Sequence, residues 1–81
     1  EAIASLHGVE AEVIEFLIHK KNRLLKHPIR DLHLPKEAVI AGVIRGEQSI
    51  IPNGDFTFEL KDKVIVFSLP EAIYRVEQLF K

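Results

Sequence analysis

Apolar and polar side chains alternate most clearly over residues 12–18, EVIEFLI. In an extended segment Ile14, Phe16 and Ile18 point to one face, because successive side chains of a strand point to opposite faces. β-branched and aromatic residues also favour strands. This pattern predicts the first strand of the fold.

A nearly unbroken apolar run, AVIAGVIR at residues 38–45, predicts a second strand. The run does not alternate, which is typical of strands that are buried on both faces. Gly42 interrupts the run and indicates a β-bulge or a close backbone approach. The residues around Gly46 then predict a tight hairpin turn into a strand over residues 48–51.

The strongest turn signal is Pro52-Asn53-Gly54-Asp55, since Pro fixes φ while Asn and Gly tolerate positive φ. We expect a short strand over residues 56–58 after this turn. The chain should then reverse direction over residues 60–63. VIVF, at residues 64–67, has the composition of a central strand.

Proline positions predict a short helix in the middle of the chain. Pro28 suits the first turn of a helix over residues 28–32, where its missing N–H would be unpaired anyway. Pro35 should end that helix, because the residue before a proline is pushed out of the α region. Residues 19–27 precede it as a basic connector, and two leucines are expected to anchor that connector to the core: Leu24 and Leu25.

The C-terminal segment predicts an amphipathic helix that begins with a capping box formed by Ser68 and Glu71. Its apolar residues share one helical face: Leu69, Ala72, Ile73, Val76, Leu79 and Phe80. The elements together predict an α+β fold, a small, mostly antiparallel sheet of about four to five strands with a short helix after strand 1 and the C-terminal amphipathic helix packed on it. We expect residues 1–10 to be a lead-in or connector and residues 11–81 to be the domain.

Composition and charge exclude several classes of function. The net charge of −1 disfavours nucleic-acid binding, which needs uncompensated Lys or Arg facing phosphates. There is no Cys, and no nucleophile–base pairing or phosphate-binding glycine loop is visible, so we expect no enzyme activity. The chain begins at Glu1 and contains no Met, which leads us to expect a piece of a longer protein.

Titratable side chains do not form a recognisable metal or catalytic motif. His27, Asp31 and His33 are close in sequence, but their spacing matches no known metal-binding motif. Glu12 and Glu15 fall on opposite faces of the first strand and cannot converge as an acid–base pair. We therefore predict no metal and no catalytic residue.

The basic run of the connector is a candidate site for an anionic effector, acidic lipid headgroups or a transporter loop. Its members are Lys20, Lys21, Arg23 and Lys26. The alternative is a solvated connector that protects an edge strand from pairing. Arg45, at a strand end beside Gly46, is open to both a ligand or interface contact and a structural role.

Several short motifs follow one another in a characteristic order: Leu32-x-Leu34-Pro35 before a strand, Ile44-Arg45 before a hairpin, Pro52 with Asn53-Gly54 in a turn, Asp62 before a strand, and Leu69-Pro70-Glu71-Ala72 at a helix start. In order and spacing they resemble the C-terminal domain of Trk potassium-uptake regulators, the TrkA-C module or C-lobe of RCK domains. The resemblance runs from Ala11 to Phe80. Lys61 stands where the family usually has Gly, which questions the exact shape of that turn.

The resemblance implies a cytoplasmic regulatory domain at the inner face of the cell membrane, following a Rossmann-type nucleotide-binding domain. An NAD- or ATP-type nucleotide would belong to that Rossmann domain, so no cofactor is expected in this chain. Such proteins assemble as dimers or rings under a membrane K⁺ transporter. The implied partners are therefore a second copy of the chain, the Rossmann domain and the transporter.

The resemblance also implies candidates for an effector or dimer cleft: Ile29, Asp31, His33, Val39, Ile40 and Arg45. Some Ktr-type regulators bind cyclic di-AMP in this cleft, with Arg and Asn at the positions that His33 and Val39 occupy here. Val39 provides neither a charged fork nor an amide. This departure weighs against cyclic di-AMP as the ligand.

These observations lead to one hypothesis and one alternative. The hypothesis is a regulatory domain that dimerises, senses a small effector and thereby gates a K⁺ transporter. The alternative is a purely structural coupling and oligomerisation module, which transmits the nucleotide state of the Rossmann domain and has no ligand of its own.

Overall fold

The computed structural model describes the backbone of residues 2–6 and 9–81, and the side chains from Glu10 onward. An antiparallel sheet of five strands, in the order β1-β2-β5-β3-β4, carries 3₁₀ turns and a C-terminal helix. The predicted α+β class is confirmed. The strands are β1 (Ala2–Leu6), β2 (Val9–Leu17), β3 (Ala38–Arg45), β4 (Gln48–Ile50) and β5 (Lys63–Ser68), and the helix is α1 (Ile73–Leu79).

The first strand lies in the segment that we expected to be a lead-in. β1 pairs antiparallel with β2, and Leu6 lies opposite Val9. Its sequence, AIASL, is rich in small residues that favour strands only weakly, so its conformation depends on hydrogen bonds to β2 that local pattern does not reveal. Glu1, His7 and Gly8 lie outside the described residues. The division of the chain at residue 10 stays a prediction.

One face of the sheet carries the hydrophobic core, and we call it the inner face. Ile14 of β2 and Ile40 of β3 both lie opposite Val66 of the central strand. The predicted alternation in β2 is confirmed, since Ile14 and Ile18 are buried. Each such side chain stabilises the fold by about 1.5–3 kcal/mol when it is fully buried.

The C-terminal segment covers the inner face with the apolar stripe that its sequence predicts. Ala72 and Val76 are buried, and the ring of Phe80 stacks on that of Phe16 with 4.5 Å between centroids. Leu24 joins the same cluster and Leu25 packs against it, so the predicted anchoring of the connector is confirmed.

The opposite face of the sheet, which we call the outer face, is not covered by the residues that the structure describes. Its apolar members alternate with the core residues along the central strands: Val13, Val39, Ile44, Ile65 and Phe67. Two charged residues share this face, since Glu15 lies opposite Ile65 and Lys63 lies opposite Ile44. Val39 is 56% exposed, and Ile44 and Phe67 are exposed as well. β3 therefore has the predicted bounds, but within this chain it is buried on one face only.

Turn predictions are largely confirmed. The β3–β5 register shifts between Ile40 and Gly42, which is the expected bulge, and Gly46 takes a φ of 61° in the hairpin between β3 and β4. In the next turn the Phe56 N–H donates to the Asn53 carbonyl at 3.1 Å. The Asp55 N–H donates to the Asn53 side chain at 2.9 Å.

The predicted helix over residues 28–32 is only a 3₁₀ turn, Ile29–Asp31, and another 3₁₀ turn, Arg23–Lys26, precedes it. The Ile29 N–H donates to the Phe56 carbonyl at 2.9 Å. This hydrogen bond to the neighbouring loop takes the place of hydrogen bonds that a longer helix would form. The strand expected over residues 56–58 reduces to one bridge between Pro28 and Thr57. The two segments form hydrogen bonds between their backbone N–H and C=O groups, so neither needs a longer helix or strand to satisfy them.

The predicted capping box is wrong. Ser68 is the last residue of β5, and its hydroxyl donates to the Leu69 carbonyl at 2.9 Å. Leu69 takes the N-cap position without a side-chain hydrogen bond, and the 3₁₀ turn Pro70–Ala72 leads into α1. Pro70 has no N–H that needs a cap, and its fixed φ suits the first turn of a helix. The start of this helix is therefore set by the backbone of Pro70 and not by a capping side chain.

Lys61 adopts a left-handed backbone conformation, with a φ of 73°. We predict that Lys61→Gly raises the free energy of unfolding by about 0.5–1 kcal/mol, because only glycine occupies this region without strain. The midpoint of thermal unfolding should rise by roughly 2–8 °C. Lys61→Ala is the control, since it also removes the long side chain but keeps the β-carbon. Equal effects of the two substitutions would contradict the assignment of strain to the backbone.

Candidate functional site

A buried ion pair joins the end of β3 to the turn before β5. The Arg45 Nε donates to Asp62 Oδ1 at 2.9 Å, and its Nη2 donates to Oδ2 at 2.8 Å. The Asp62 side chain is 0% exposed, while that of Arg45 is partly open to solvent. The two parallel bonds match the planar fork of guanidinium to carboxylate, which is the strongest geometry for such a pair.

Arg45 also holds three neighbours of Asp62 in place. Its Nη1 lies 3.1 Å from Glu59 Oε2, its Nη2 donates to the Thr57 carbonyl at 3.3 Å, and its guanidinium lies 4.9 Å from the centroid of the Phe56 ring. Each guanidinium nitrogen thus has an internal partner. A ligand role for Arg45 stays a prediction, and it would require some of these contacts to open.

The pair shifts both pKa values in the direction that strengthens it. Burial acts to raise the pKa of Asp62, but hydrogen bonds from Arg45 and the Glu59 amide, together with the Arg45 charge, hold it below the usual range. The hydrogen bond to Asp62 raises the pKa of Arg45 despite some desolvation, and the charges of Asp62 and Glu59 add to the effect. Asp62 is therefore ionised at neutral pH.

Asp62 also ties its turn to the end of β2. The Glu59 N–H donates to Asp62 Oδ2 at 2.8 Å, and the Asp62 N–H donates to the Glu59 carbonyl at 3.1 Å. Across the gap, the Ile18 N–H donates to the Asp62 carbonyl at 2.9 Å and the Lys61 N–H donates to the Ile18 carbonyl at 2.8 Å. The position of Lys61 is thereby fixed relative to β2.

Within one chain the structure does not bring the six cleft candidates together. Ile29 and Ile40 pack against the core, whereas Val39 points outward. Asp31 and His33 line a groove of about 360 Å³ beside α1. Arg45 lies in its own ion-pair network. A joint role for these six residues, in a cleft between two copies, stays a prediction.

The basic run is divided between two surfaces. Lys20 and Lys21 line an open cleft of about 630 Å³ together with Lys61. Arg23 lines the groove that contains His33, and Lys26 is exposed at the end of its 3₁₀ turn. A role of these four residues in binding an anion or a partner stays a prediction.

Two features of these surfaces escaped the sequence analysis. Asp62 was expected only as a family marker, because its pairing with Arg45 joins residues 17 positions apart and has no local signal. The joining of Lys61 with the connector lysines depends on a long-range turn contact and has no local signal. Among the residues that the structure describes, no group of three His, Asp or Glu is arranged to hold a metal ion.

Comparison with known proteins identifies relatives of this fold. Residues 13–81 match the TrkA-C domain family. Over 81 residues the chain is 37% identical to the Trk system potassium uptake protein TrkA homolog 1 of Methanosarcina mazei, and it spans 18% of that protein's length.

Two solved structures share the fold. One is an RCK domain, with a TM-score of 0.70, 20% identity, and coverage of 85% of this chain and 97% of the other. The second is the RCK C domain of the potassium transport protein KtrA in complex with cyclic diadenosine monophosphate, with a TM-score of 0.69 and 24% identity, covering 84% of this chain and 81% of the other.

We predict that Asp62→Asn lowers the free energy of unfolding by about 3 kcal/mol, because it breaks the bidentate pair with a buried carboxylate and leaves Arg45 only its ion pair with the exposed Glu59. Urea denaturation measures the change. Asp55→Asn is the matched control, since Asp55 forms an ion pair with Arg30 at an exposed site, where such pairs contribute about 0–1 kcal/mol. Similar losses in the two variants would contradict the dominance of the buried pair.

The depressed pKa of Asp62 predicts an acid-dependent loss of stability. A carboxylate whose folded pKa is lowered stabilises the fold fully above its unfolded pKa, and the contribution is lost as pH falls through the folded pKa. Urea midpoints measured from about pH 6 to about pH 2 should therefore fall less steeply in Asp62→Asn than in the wild type. Parallel curves for wild type and Asp62→Asn would contradict the assignment.

Proposed function

Because the chain belongs to the TrkA-C domain family, we propose that it is the regulatory C-terminal domain of a Trk-type potassium transport protein. In this proposal the domain catalyses no reaction. It joins two copies of the protein and communicates the state of an effector to a membrane K⁺ transporter. The observation that carries the proposal is the uncovered outer face of the sheet.

An apolar, uncovered sheet face supports dimerisation. Antiparallel sheets with one solvated face usually carry polar residues there, yet Val39, Ile44 and Phe67 are exposed on the outer face. Val39 and Phe67 adjoin one another across neighbouring strands, and Val13 lies opposite Phe67 on its other side, whereas Ile44 lies further along β3, opposite Lys63. Contiguous apolar patches on soluble proteins mark interaction sites. A second copy would cover this face with an identical one.

Effector sensing is proposed at the edge of the same surface. Val39 is both a cleft candidate and a member of the outer face, whereas Asp31 and His33 line the groove beside α1. Pairing of two outer faces would therefore bring Val39, but not the whole set of candidates, to the dimer interface. An effector bound there would favour one arrangement of the two copies, and only to the extent that its affinity differs between arrangements. The KtrA domain was solved with cyclic diadenosine monophosphate. For this chain His33 and Val39 favour a different effector.

The proposed partners are a Rossmann-type nucleotide-binding domain of the same protein, which would hold any NAD- or ATP-type nucleotide, and a membrane K⁺ transporter subunit. The M. mazei relative is several times longer than this chain, which spans 18% of it. In residues 2–6 and 9–81 no helix is long and apolar enough to cross a membrane. We place the domain at the cytoplasmic face, where the transporter would hold it.

Dimerisation through the outer face predicts the effect of a charge placed there. Phe67→Asp should weaken dimerisation at least about a hundredfold, since it removes two aromatic rings and adds two charges at the interface. Sedimentation velocity over a concentration series measures the dissociation constant. Tyr74→Asp is the control, because Tyr74 is 72% exposed and lies on α1, which covers the inner face. Equal weakening by both changes, or a wild-type monomer at all concentrations, would contradict the proposal.

A thermal-shift panel separates a sensor from the alternative, a purely structural coupling module. A ligand at a hundred times its dissociation constant adds about 2.7 kcal/mol, or on the order of 10 °C for a domain of this size. We expect no shift with cyclic di-AMP, because His33 and Val39 lack the groups that would hold it. A shift with another compound from a panel of cyclic dinucleotides, ATP, NADH and Ca²⁺ would identify the effector. A panel with no shift at all would favour the coupling module.

A further inference from the structure

Three lysines converge on an apolar cleft at the end of the sheet where β2 ends and β5 begins. The cleft measures about 630 Å³ and is lined by Leu17, Ile18, His19, Lys20, Lys21, Leu60 and Lys61. We call it the lysine cleft. It belongs neither to the outer face nor to the Arg45–Asp62 pair, although Leu17 adjoins the first and the turn of Asp62 forms one wall.

The floor of the lysine cleft is apolar and preformed. Leu17 and Leu60 are 46% and 51% exposed, respectively. The hydrogen bonds that join Ile18 to Lys61 and Asp62, at 2.8 and 2.9 Å, hold the two walls together. Asp62, which is paired with Arg45, directly follows Lys61 in one of these walls. An apolar group that enters the cleft therefore meets a surface that needs no rearrangement.

The rim of the lysine cleft is positively charged and uncompensated. Lys20 and Lys21 lie on the wall that follows β2, and Lys61 lies on the wall formed by the turn. Within the described part of the chain, the salt bridges involve Arg30, Arg45 and Arg75, and none involves these lysines. The aliphatic stems of these lysines contribute to the apolar lining, and their three positive charges create a local field near the cleft that attracts anions.

Backbone strain at Lys61 points to the same cleft independently. Its φ of 73° lies where a side chain destabilises the fold and glycine does not. Non-glycine residues in such conformations cluster at binding sites, where the surrounding structure holds them. Here two backbone hydrogen bonds and the adjacent Asp62 hold the conformation. The strained residue is also the one that brings a third ammonium group to the cleft.

We propose that the lysine cleft binds an amphiphilic anion. The apolar part of the ligand lies on Leu17 and Leu60, and its phosphate or carboxylate is held by Lys20, Lys21 and Lys61. The volume falls within the range of small-molecule sites, which are mostly apolar with a few charged groups that fix orientation. The same chemistry is offered by a free small amphiphile and by an anionic lipid in a membrane. The inference does not depend on the proposed role in potassium transport.

Octyl phosphate, a probe with one apolar chain and one phosphate, tests the chemistry directly. Titration into the ¹⁵N-labelled 81-residue chain should shift the amide signals of the lysine cleft. Octyl glucoside has the same chain without charge, and inorganic phosphate has the charge without the chain. Each should bind much more weakly than octyl phosphate. Equal binding of octyl phosphate and inorganic phosphate, or no binding of octyl phosphate, would overturn the proposal.

Vesicles distinguish the two sources of the ligand. Co-sedimentation with phosphatidylcholine vesicles that contain phosphatidic acid, but not with pure phosphatidylcholine vesicles, would identify a membrane lipid as the source. Binding of octyl phosphate without vesicle binding would identify a free small amphiphile. Both results support the cleft as the site, provided that the variants below behave as expected.

Substitution of Lys61 gives a signature that loss of folding cannot imitate. Lys61→Gly should weaken octyl phosphate binding about fivefold, the effect of one lysine near an anionic group, while the protein becomes more stable to heat. Leu60→Ser should weaken binding through loss of the apolar contact. Lys36→Ala removes an equal charge from a different surface and should leave binding unchanged. Unchanged binding in Lys61→Gly, or equal weakening in Lys36→Ala, would show that the cleft is not the site.

Discussion

The buried pair of Arg45 and Asp62 is the interaction on which the arrangement of this domain depends. Through it the end of β3, the turn before the central strand and the last residue before the connector meet at one point, because the Asp62 carbonyl also accepts from the Ile18 N–H. A buried carboxylate is tolerated only when it is paired and hydrogen-bonded. Each of these partners is supplied by a different segment of the chain. The pair therefore fixes the registers of β2, β3 and β5 relative to one another.

The sheet held in this register has apolar residues on both faces, and the two faces differ in whether they are covered. The inner face is closed by Val76, Phe80 and the 3₁₀ turns. The outer face is not covered by the described residues, and its exposed apolar side chains provide the physical reason to propose a second copy as its partner. The turn fixed by Asp62 also carries Lys61, so the ion pair supports the lysine cleft as well as the sheet.

Local sequence pattern predicted those elements whose conformation depends on their own residues. β3 has the predicted bounds, the bulge lies at Gly42, and α1 buries the predicted stripe. The pattern was wrong where distant partners decide: β1 exists through pairing with β2, the helix after Pro28 shortens against residues 54–56, and Ser68 stays in the sheet instead of capping a helix. The candidate site likewise depends on contacts between residues that are far apart in sequence. Arg45 was recognised as important, but its partner Asp62 lies 17 positions away and could not be identified from spacing alone.

The central claim, that two outer faces meet in a dimer, is tested most directly by isotope-filtered nuclear Overhauser spectroscopy on a mixture of labelled and unlabelled chains. Such spectra detect only contacts between protons of different copies. The account predicts intermolecular contacts between the Phe67 ring and the methyl groups of Val39 and Ile44. Intermolecular contacts confined to exposed residues on the other side of the sheet, such as Tyr74 of α1, would contradict it. A concentrated sample without any intermolecular contact would contradict it equally.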